Sequence, residues 1–321
     1  MRALVLGGTK FFGPFVVDEL LARGIEVAVL SRGEAPFAES VRQYRGNASD
    51  RTAVRRALRS WQPQALIDML NDGPEHAQNV MNACAGKVER SVHVSCGTVY
   101  GSSPTCPVSE QTEVAHREDV SPEVSAQIAA DEVVLEAAAS DAPAAIVRLP
   151  ELYGPHDPKC AEWFFVRRAL EGRRRIALPD AGLHICHRGF VQNMAWGVAQ
   201  AVTVARAPGQ IYNLGEEKLY TLAQLARGVA RALDHEWELY SVPGHLWTVP
   251  YARTCFFDLR KARAQLRYRD KMIPRDGLEL TLAWLCQQPR GDAWAWPGIE
   301  EPFNYAREDE LIEVYGRKLE D

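Results

Sequence analysis

The chain has 321 residues, 46% of them hydrophobic and 25% charged, with a formal net charge of −5. This composition is that of an ordinary soluble protein, large enough for one big α/β unit or two lobes, and its negative balance argues against a general binder of nucleic acid or anionic membrane. No apolar run approaches the length that spans a bilayer, and Met1-Arg2 before Ala3–Leu6 is too short for a signal segment. The seven cysteines (84, 96, 106, 160, 186, 255 and 286) are scattered and lack C-x-x-C spacing, which fits reduced thiols in a cytoplasmic protein. His184, Cys186 and His187, with His156 and Cys160 upstream, match no recurrent metal spacing, and no metal is expected.

The chain opens with a short β-type run ending at Leu6. It passes through Gly7-Gly-Thr-Lys-Phe-Phe-Gly13 into an amphipathic segment carrying Val16, Val17, Leu20 and Leu21. Strand, tight glycine turn and helix N-terminus in that order make a cradle for a dinucleotide pyrophosphate: the glycines let the backbone approach and the free N–H groups face the anion. Gly24 ends this helix, Glu26–Leu30 reads as a second strand, and Ser31-Arg32-Gly33 follows. Val41–Tyr44 leads to Gly46-Asn47-Ala48-Ser49-Asp50, then to a helix near Thr52–Ser60.

Ala65–Ile67 reads as a buried strand, His76–Ala85 as a helix, Ser91–Ser95 as a strand, Asp131–Ala139 as an alanine-rich helix and Ala144–Leu149 as a sixth strand. Strands alternating with helices imply parallel β-α-β units, here a doubly wound parallel sheet of the Rossmann type. After Pro150 the pattern loosens into a turn at Tyr153-Gly154-Pro155, a helix at Trp163–Leu170 and loops. Gln210–Leu214 looks like one more strand of the first lobe. The expected division is therefore 1–155 for dinucleotide binding, with returning segments near 190–215, and 156–321 mainly as a smaller substrate lobe. Trp294, Trp296, Phe303 and Tyr305 imply that the tail from Gln287 packs.

With these landmarks in order, the chain resembles the extended short-chain dehydrogenase/reductase family, the sugar-nucleotide epimerases and dehydratases. Gly7-Gly-Thr-Lys-Phe-Phe-Gly13 matches the family's Gly-Gly-Thr-Gly-Phe-Ile-Gly, with Lys10 at the middle glycine. Gly46-Asn47 stands where the family places a Gly-Asp near adenine. Ser95-Cys-Gly-Thr-Val-Tyr-Gly101 and Arg148-Leu-Pro-Glu-Leu-Tyr-Gly-Pro155 resemble two further family motifs, and Tyr212–Gly215, Tyr220–Leu225 and Asp258–Lys261 resemble its C-terminal landmarks. By that resemblance Gly7, Thr9, Lys10, Phe12, Gly13, Ser31, Arg32, Asn47, Gln127 and Pro150 are the candidate cofactor residues.

The departures fall on the catalytic positions. The family's Tyr-x-x-x-Lys pair, in which the tyrosine is the general acid/base and the lysine lowers its pKa, maps onto Glu123 and Gln127, or with a one-residue slip onto Val124 and Ile128. The family's Ser/Thr hydroxyl falls on Cys96, and the acidic pair of its dehydratases on Gly97 and Thr98, which argues against sugar dehydration by that mechanism. Some relatives with the same opening, chloroplast stem-loop RNA-binding proteins among them, are also degenerate there.

The candidate catalytic set is Glu123, Thr98 and Cys96. Glu123 is either a base whose pKa partial burial raises or a solvated helix-start acid. Cys96 is either a hydrogen-bonding or nucleophilic thiol or a small apolar filler. Thr98, placed on the same strand face, is the better hydroxyl donor. His93 reads as structural, and His187 as a contact near the substrate-lobe junction. The expected function is an epimerase-, dehydratase- or reductase-type enzyme acting on a sugar nucleotide or another polar hydroxyl- or carbonyl-bearing metabolite. Its alternatives are non-redox chemistry around a structural dinucleotide and non-catalytic nucleotide or RNA binding. Ser31-Arg32 and Lys10 suit a 2′-phosphate, so NADP is expected before NAD. A small-molecule substrate is the expected partner, nucleic acid and membrane are not, and a homodimer stays open.

Overall fold

The computed structural model describes residues 1–33, 35–102, 105–140, 142–251, 254–288, 296 and 299–320. They form two compact units, the first being Met1–Leu152, Val191–Glu217 and Phe257–Lys271, the second Tyr153–Phe190, Lys218–Phe256 and Met272–Asp321. The return of Phe257–Lys271 to the first unit has no counterpart in the sequence reading.

The first unit is built on a seven-stranded parallel sheet. Its order is Ile211–Asn213, Ala144–Leu149, Arg90–Cys96, Ala65–Asp68, Arg2–Leu6, Glu26–Ser31, Arg42–Arg45. Ala3–Leu6, Ala65–Asp68 and Ala144–Leu149 are buried throughout, as expected for strands covered on both faces. The chain winds outward from Arg2–Leu6 in one direction through the second and third strands. It winds in the other direction from Ala65–Asp68 onward, so the sheet is doubly wound. The switch point lies between Arg2–Leu6 and Ala65–Asp68, and ligands of such sheets bind beyond the carboxyl ends of the strands there.

Helix boundaries follow local chemistry. Helix Arg51–Trp61 starts where the Asp50 carboxylate accepts the Thr52 N–H at 2.8 Å and ends at Gln62 in the left-handed region, φ 49°. The helix expected over Asp131–Ala139 begins much earlier, at Pro122, after Ser121 accepts the Val124 N–H at 3.4 Å. One continuous helix therefore holds both the helix start read at Glu123 and the alanine-rich stretch.

The second unit holds a sheet ordered Arg317–Lys318, Glu238–Val242, Arg175–Pro179, with the latter two parallel. Its core contains Trp163, Phe164, Phe165, Ile176, Leu178, Leu225 and Leu282. Described residues of the tail pack onto it: Trp296 is buried and Phe303 stacks on Phe164 at 6.3 Å between ring centroids. Glu308 of helix Tyr305–Tyr315 is fully buried, taking Arg168 Nη2 at 3.1 Å and the Ala177 N–H at 3.0 Å. Trp294 lies outside the described residues. Among the described residues no helix is long and apolar enough to cross a membrane.

Candidate active site

The turn after the first strand depends on its glycines. Gly7 and Gly8 have φ of +85° and +82°, and the Gly7 N–H donates to the Leu30 carbonyl at 3.0 Å. A β-carbon on Gly13 would stand 2.2 Å from Gly8 Cα, so the start of helix Phe12–Ala22 lies directly on the turn. Phe11, φ 44°, precedes this helix and its side chain caps no donor; the Gly13 N–H goes to the Lys10 carbonyl at 3.0 Å and Pro14 has none, so an anion here meets the remaining first-turn N–H groups. The cradle fits a dinucleotide pyrophosphate. Lys10 is not among the residues of positive φ, so the position tolerates a side chain in place of the usual glycine, and the side chain is exposed.

Beyond the second strand, the Ser31 hydroxyl donates to the Gly33 carbonyl. Arg32 is exposed, and no described carboxylate pairs with it. Asn47 is exposed on the following turn, where its Oδ1 accepts the Ser49 N–H at 3.1 Å.

At the switch point stands a feature that the sequence reading missed. Asp68, 1% exposed, ends strand Ala65–Asp68; it accepts the Leu70 N–H at 3.1 Å, His76 Nε2 at 2.9 Å and His93 Nδ1 at 3.3 Å. Burial acts to raise the Asp68 pKa, but the hydrogen bonds from His76 and His93 outweigh it and hold the carboxyl below its usual range. Burial likewise disfavours a charged His93, yet its bond to Asp68 and the field of Asp68 and Asp131 raise its pKa. The network continues from Asp131 to Arg148 at 3.0 Å and from Arg148 to the Tyr100 hydroxyl at 3.0 Å, and Tyr100 donates to Asn213 Oδ1 at 2.8 Å. An aspartate closing an otherwise apolar strand, with His76 eight residues on, was the available signal.

Cys96 ends strand Arg90–Cys96 as expected, but Thr98 does not share the strand: Gly97–Tyr100 is a 3₁₀ turn. The turn folds Thr98 back, so that its hydroxyl lies 3.2 Å from Cys96 Sγ and 3.4 Å from Gln127 Oε1. The helix residue meeting Thr98 is thus Gln127, whereas Ile128 is buried at 1% exposure. Phe257 covers Gly97, where a β-carbon would stand 2.1 Å from Cζ, so no acidic side chain fits at that position.

Glu123 occupies the first turn of helix Pro122–Ala139, fully exposed. The Ser121 hydroxyl and the backbone hold its carboxyl below the usual range, so the burial-raised pKa required of a base in the sequence reading is not met. Pro150 is buried after the sixth strand, and His187 belongs to the second unit, 8% exposed. In that unit, donor atoms of Asp157, Cys160 and Glu162, rather than of His184, Cys186 and His187, come within 4.8 Å of one another. Glu162 Oε1 already takes Arg188 Nη1 at 2.5 Å and the Tyr251 hydroxyl at 3.1 Å.

Residues 3–215 match the model of the NAD dependent epimerase/dehydratase family. The 2'-dehydrokanamycin reductase of Streptomyces kanamyceticus is 29% identical, over 94% of this chain and 89% of its own length. The chloroplast stem-loop binding protein of 41 kDa b from Arabidopsis thaliana is 25% identical over 72% of this chain, and the match spans 63% of that protein's length. Among solved structures, UDP-glucose 4-epimerase of Thermotoga maritima with UDP-glucose superposes with a TM-score of 0.75 at 19% identity, covering 89% of this chain and 99% of that one. The dTDP-glucose 4,6-dehydratase of Bacillus anthracis in complex with NAD also has a TM-score of 0.75, at 18% identity, covering 90% and 97%. These structural likenesses concern the fold.

Proposed function

This chain belongs to the NAD-dependent epimerase/dehydratase family, and from that premise we propose that it is an epimerase- or reductase-type enzyme acting on a hydroxyl or carbonyl carbon of a sugar nucleotide or another polar metabolite. The observation that carries the reading is the contact of Thr98 Oγ1 with both Cys96 Sγ and Gln127 Oε1 at the carboxyl edge of the sheet. Gly7 follows and Cys96 ends strands two positions apart in the sheet, about 10 Å across, which suits a dinucleotide laid along that edge.

A bound nicotinamide dinucleotide supplies or accepts the hydride. With the dinucleotide bound, Gly7, Thr9, Phe12 and Gly13 would hold its pyrophosphate, Asn47 its adenine end, and Gln127 and Pro150 its nicotinamide ribose. Arg32 and Lys10 take a 2′-phosphate, so NADP(H) is preferred over NAD(H). Ser31 contributes less, because its hydroxyl proton is already donated to Gly33. To donate to the substrate oxygen, the Thr98 hydroxyl turns its one proton away from Cys96 Sγ or Gln127 Oε1, with the Cys96 thiol beside it. Glu123, ionised and one helical turn before Gln127, accepts a proton only weakly.

Gln127 favours a second reading. It brings no positive charge to the site, so proton chemistry around a dinucleotide that is merely retained is the alternative. Mass spectrometry of the copurified ligand, followed by near-ultraviolet absorbance of the bound nicotinamide during turnover, separates the two. A change in absorbance with substrate supports redox chemistry, turnover without a change supports the alternative, and no turnover or bound dinucleotide overturns both.

A further inference from the structure

In the second unit, helices Leu222–Ala232 and Pro274–Leu285 flank a cavity of about 330 Å³. We propose that this cavity binds a small phosphorylated metabolite. The proposal goes beyond the reading above and does not depend on it.

Four arginines contribute to the wall: Arg188 from strand Arg188–Phe190, Arg227 and Arg231 from the first helix, and Arg275 from the opening turn of the second. Glu279 is the one carboxylate among the described lining residues. Arg227 and Arg231 stand four residues apart on one helix face, so both line the same side of the cavity. Their compensation by protein groups is uneven. Arg188 is balanced by buried Glu162. Arg275 Nε lies 3.3 Å from Asp276 and 3.8 Å from Glu279, both exposed, so these pairs are weak. Arg227 donates to the Glu320 carbonyl at 2.8 Å, and Arg231 forms no ion pair among the described residues.

Guanidinium groups arriving from three separate elements suit the several oxygens of a phosphate or diphosphate better than the two oxygens of a single planar carboxylate. The remaining wall is apolar. Leu225, Leu278, Ala232 and Pro274 border the space, and Gly228 keeps it open, since a β-carbon there would already touch Leu278 Cδ2 at 3.4 Å. A charged head against arginines and a compact body against leucines match a metabolite rather than a macromolecule. The volume also falls at the lower end of the roughly 300–1,000 Å³ usual for small-molecule sites.

The test is calorimetric titration of the full chain, with and without excess NADP(H), with inorganic pyrophosphate and inorganic phosphate at constant ionic strength. The expected result is pyrophosphate binding in the millimolar range or tighter, weakened at least about tenfold in Arg231→Glu and in Arg227→Gln and unchanged in Arg269→Glu, an exposed change in the first unit. Thermal melting confirms that each variant is folded, and Arg231→Gln provides a milder second variant should the charge reversal fail to fold. No binding by the folded wild-type chain, or equal affinity in the folded Arg231 variant, overturns the proposal. Binding that appears only without the dinucleotide and survives Arg231→Glu assigns the anion to the glycine turn and also overturns it.

Discussion

The ring of Phe257 lies on the backbone of Gly97 so closely that a β-carbon at 97 would stand 2.1 Å from Cζ. Phe257 also meets Tyr100 edge-on at 5.9 Å, so the ring is held on both sides and cannot easily retreat. Gly97→Ala is therefore expected to cost about 1–3 kcal/mol of stability, the usual range for overpacking. Thermal unfolding measures it, and Phe257→Leu in the same chain should restore part of the loss. An unchanged melting temperature in Gly97→Ala alone would show that Phe257 moves freely.

Arg32 is the exposed cation at the end of the second strand and has no carboxylate partner among the described residues. Arg32→Ala should weaken NADP(H) binding by about tenfold, the contribution of one charge-assisted hydrogen bond at an accessible site, and leave NAD(H) binding nearly unchanged. Fluorescence titration of both reduced dinucleotides decides it. Equal losses for the two would remove the 2′-phosphate from Arg32.

Glu123 and Thr98 are expected to separate kinetically. With its carboxyl held low by Ser121, Glu123 stays ionised through the neutral range and is a poor match for proton transfer there. Glu123→Gln should reduce kcat by less than about tenfold, against the roughly 10²–10⁴-fold of a matched general base, and leave the shape of the pH–rate profile between about pH 5 and 8 unaltered. Thr98→Val should reduce kcat/KM by about tenfold with the fold intact, as loss of one hydrogen bond to a developing charge. A larger loss in Glu123→Gln than in Thr98→Val would reverse these roles.

The buried pair of Asp68 and His93 ties stability to pH. The Asp68 pKa is lowered on folding, so its contribution is present above its unfolded value of about 3.9 and is lost as pH falls through the folded value. The His93 pKa is raised, so its contribution is complete below about 6.5 and is lost as pH rises through the folded value. Both contributions are whole between about pH 4 and 6.5. Denaturant unfolding of His93→Gln should show a shallower decline above that window than the parent chain. Identical pH dependence in the two would remove His93 from the effect, although His76 and Asp131 also face the pair.

What the sequence determined by itself was the order of elements in the first unit and the turn that opens it. Both rest on local signals: continuous apolar runs make buried parallel strands, and Gly7, Gly8 and Gly13 make a turn that other residues cannot follow. The strand Ala144–Leu149 was legible to the residue for that reason, and in the second unit the helix Trp163–Leu170 was placed with the same bounds. Only the tertiary structure decided which polar groups meet. Asp68, His76, His93 and Asp131 come from two strands and two helices, and only the packed layers show that they share one network. The sequence left two registers open on the helix after Ser121; the contact that brings Gln127, not Ile128, to Thr98 is a consequence of how that helix lies on the sheet. At Glu123 the sequence left a buried base and a solvated helix-start acid both open, and the cover of Phe257 over Gly97 was hidden, because periodicity reports the buried face of an element and not its neighbour across space.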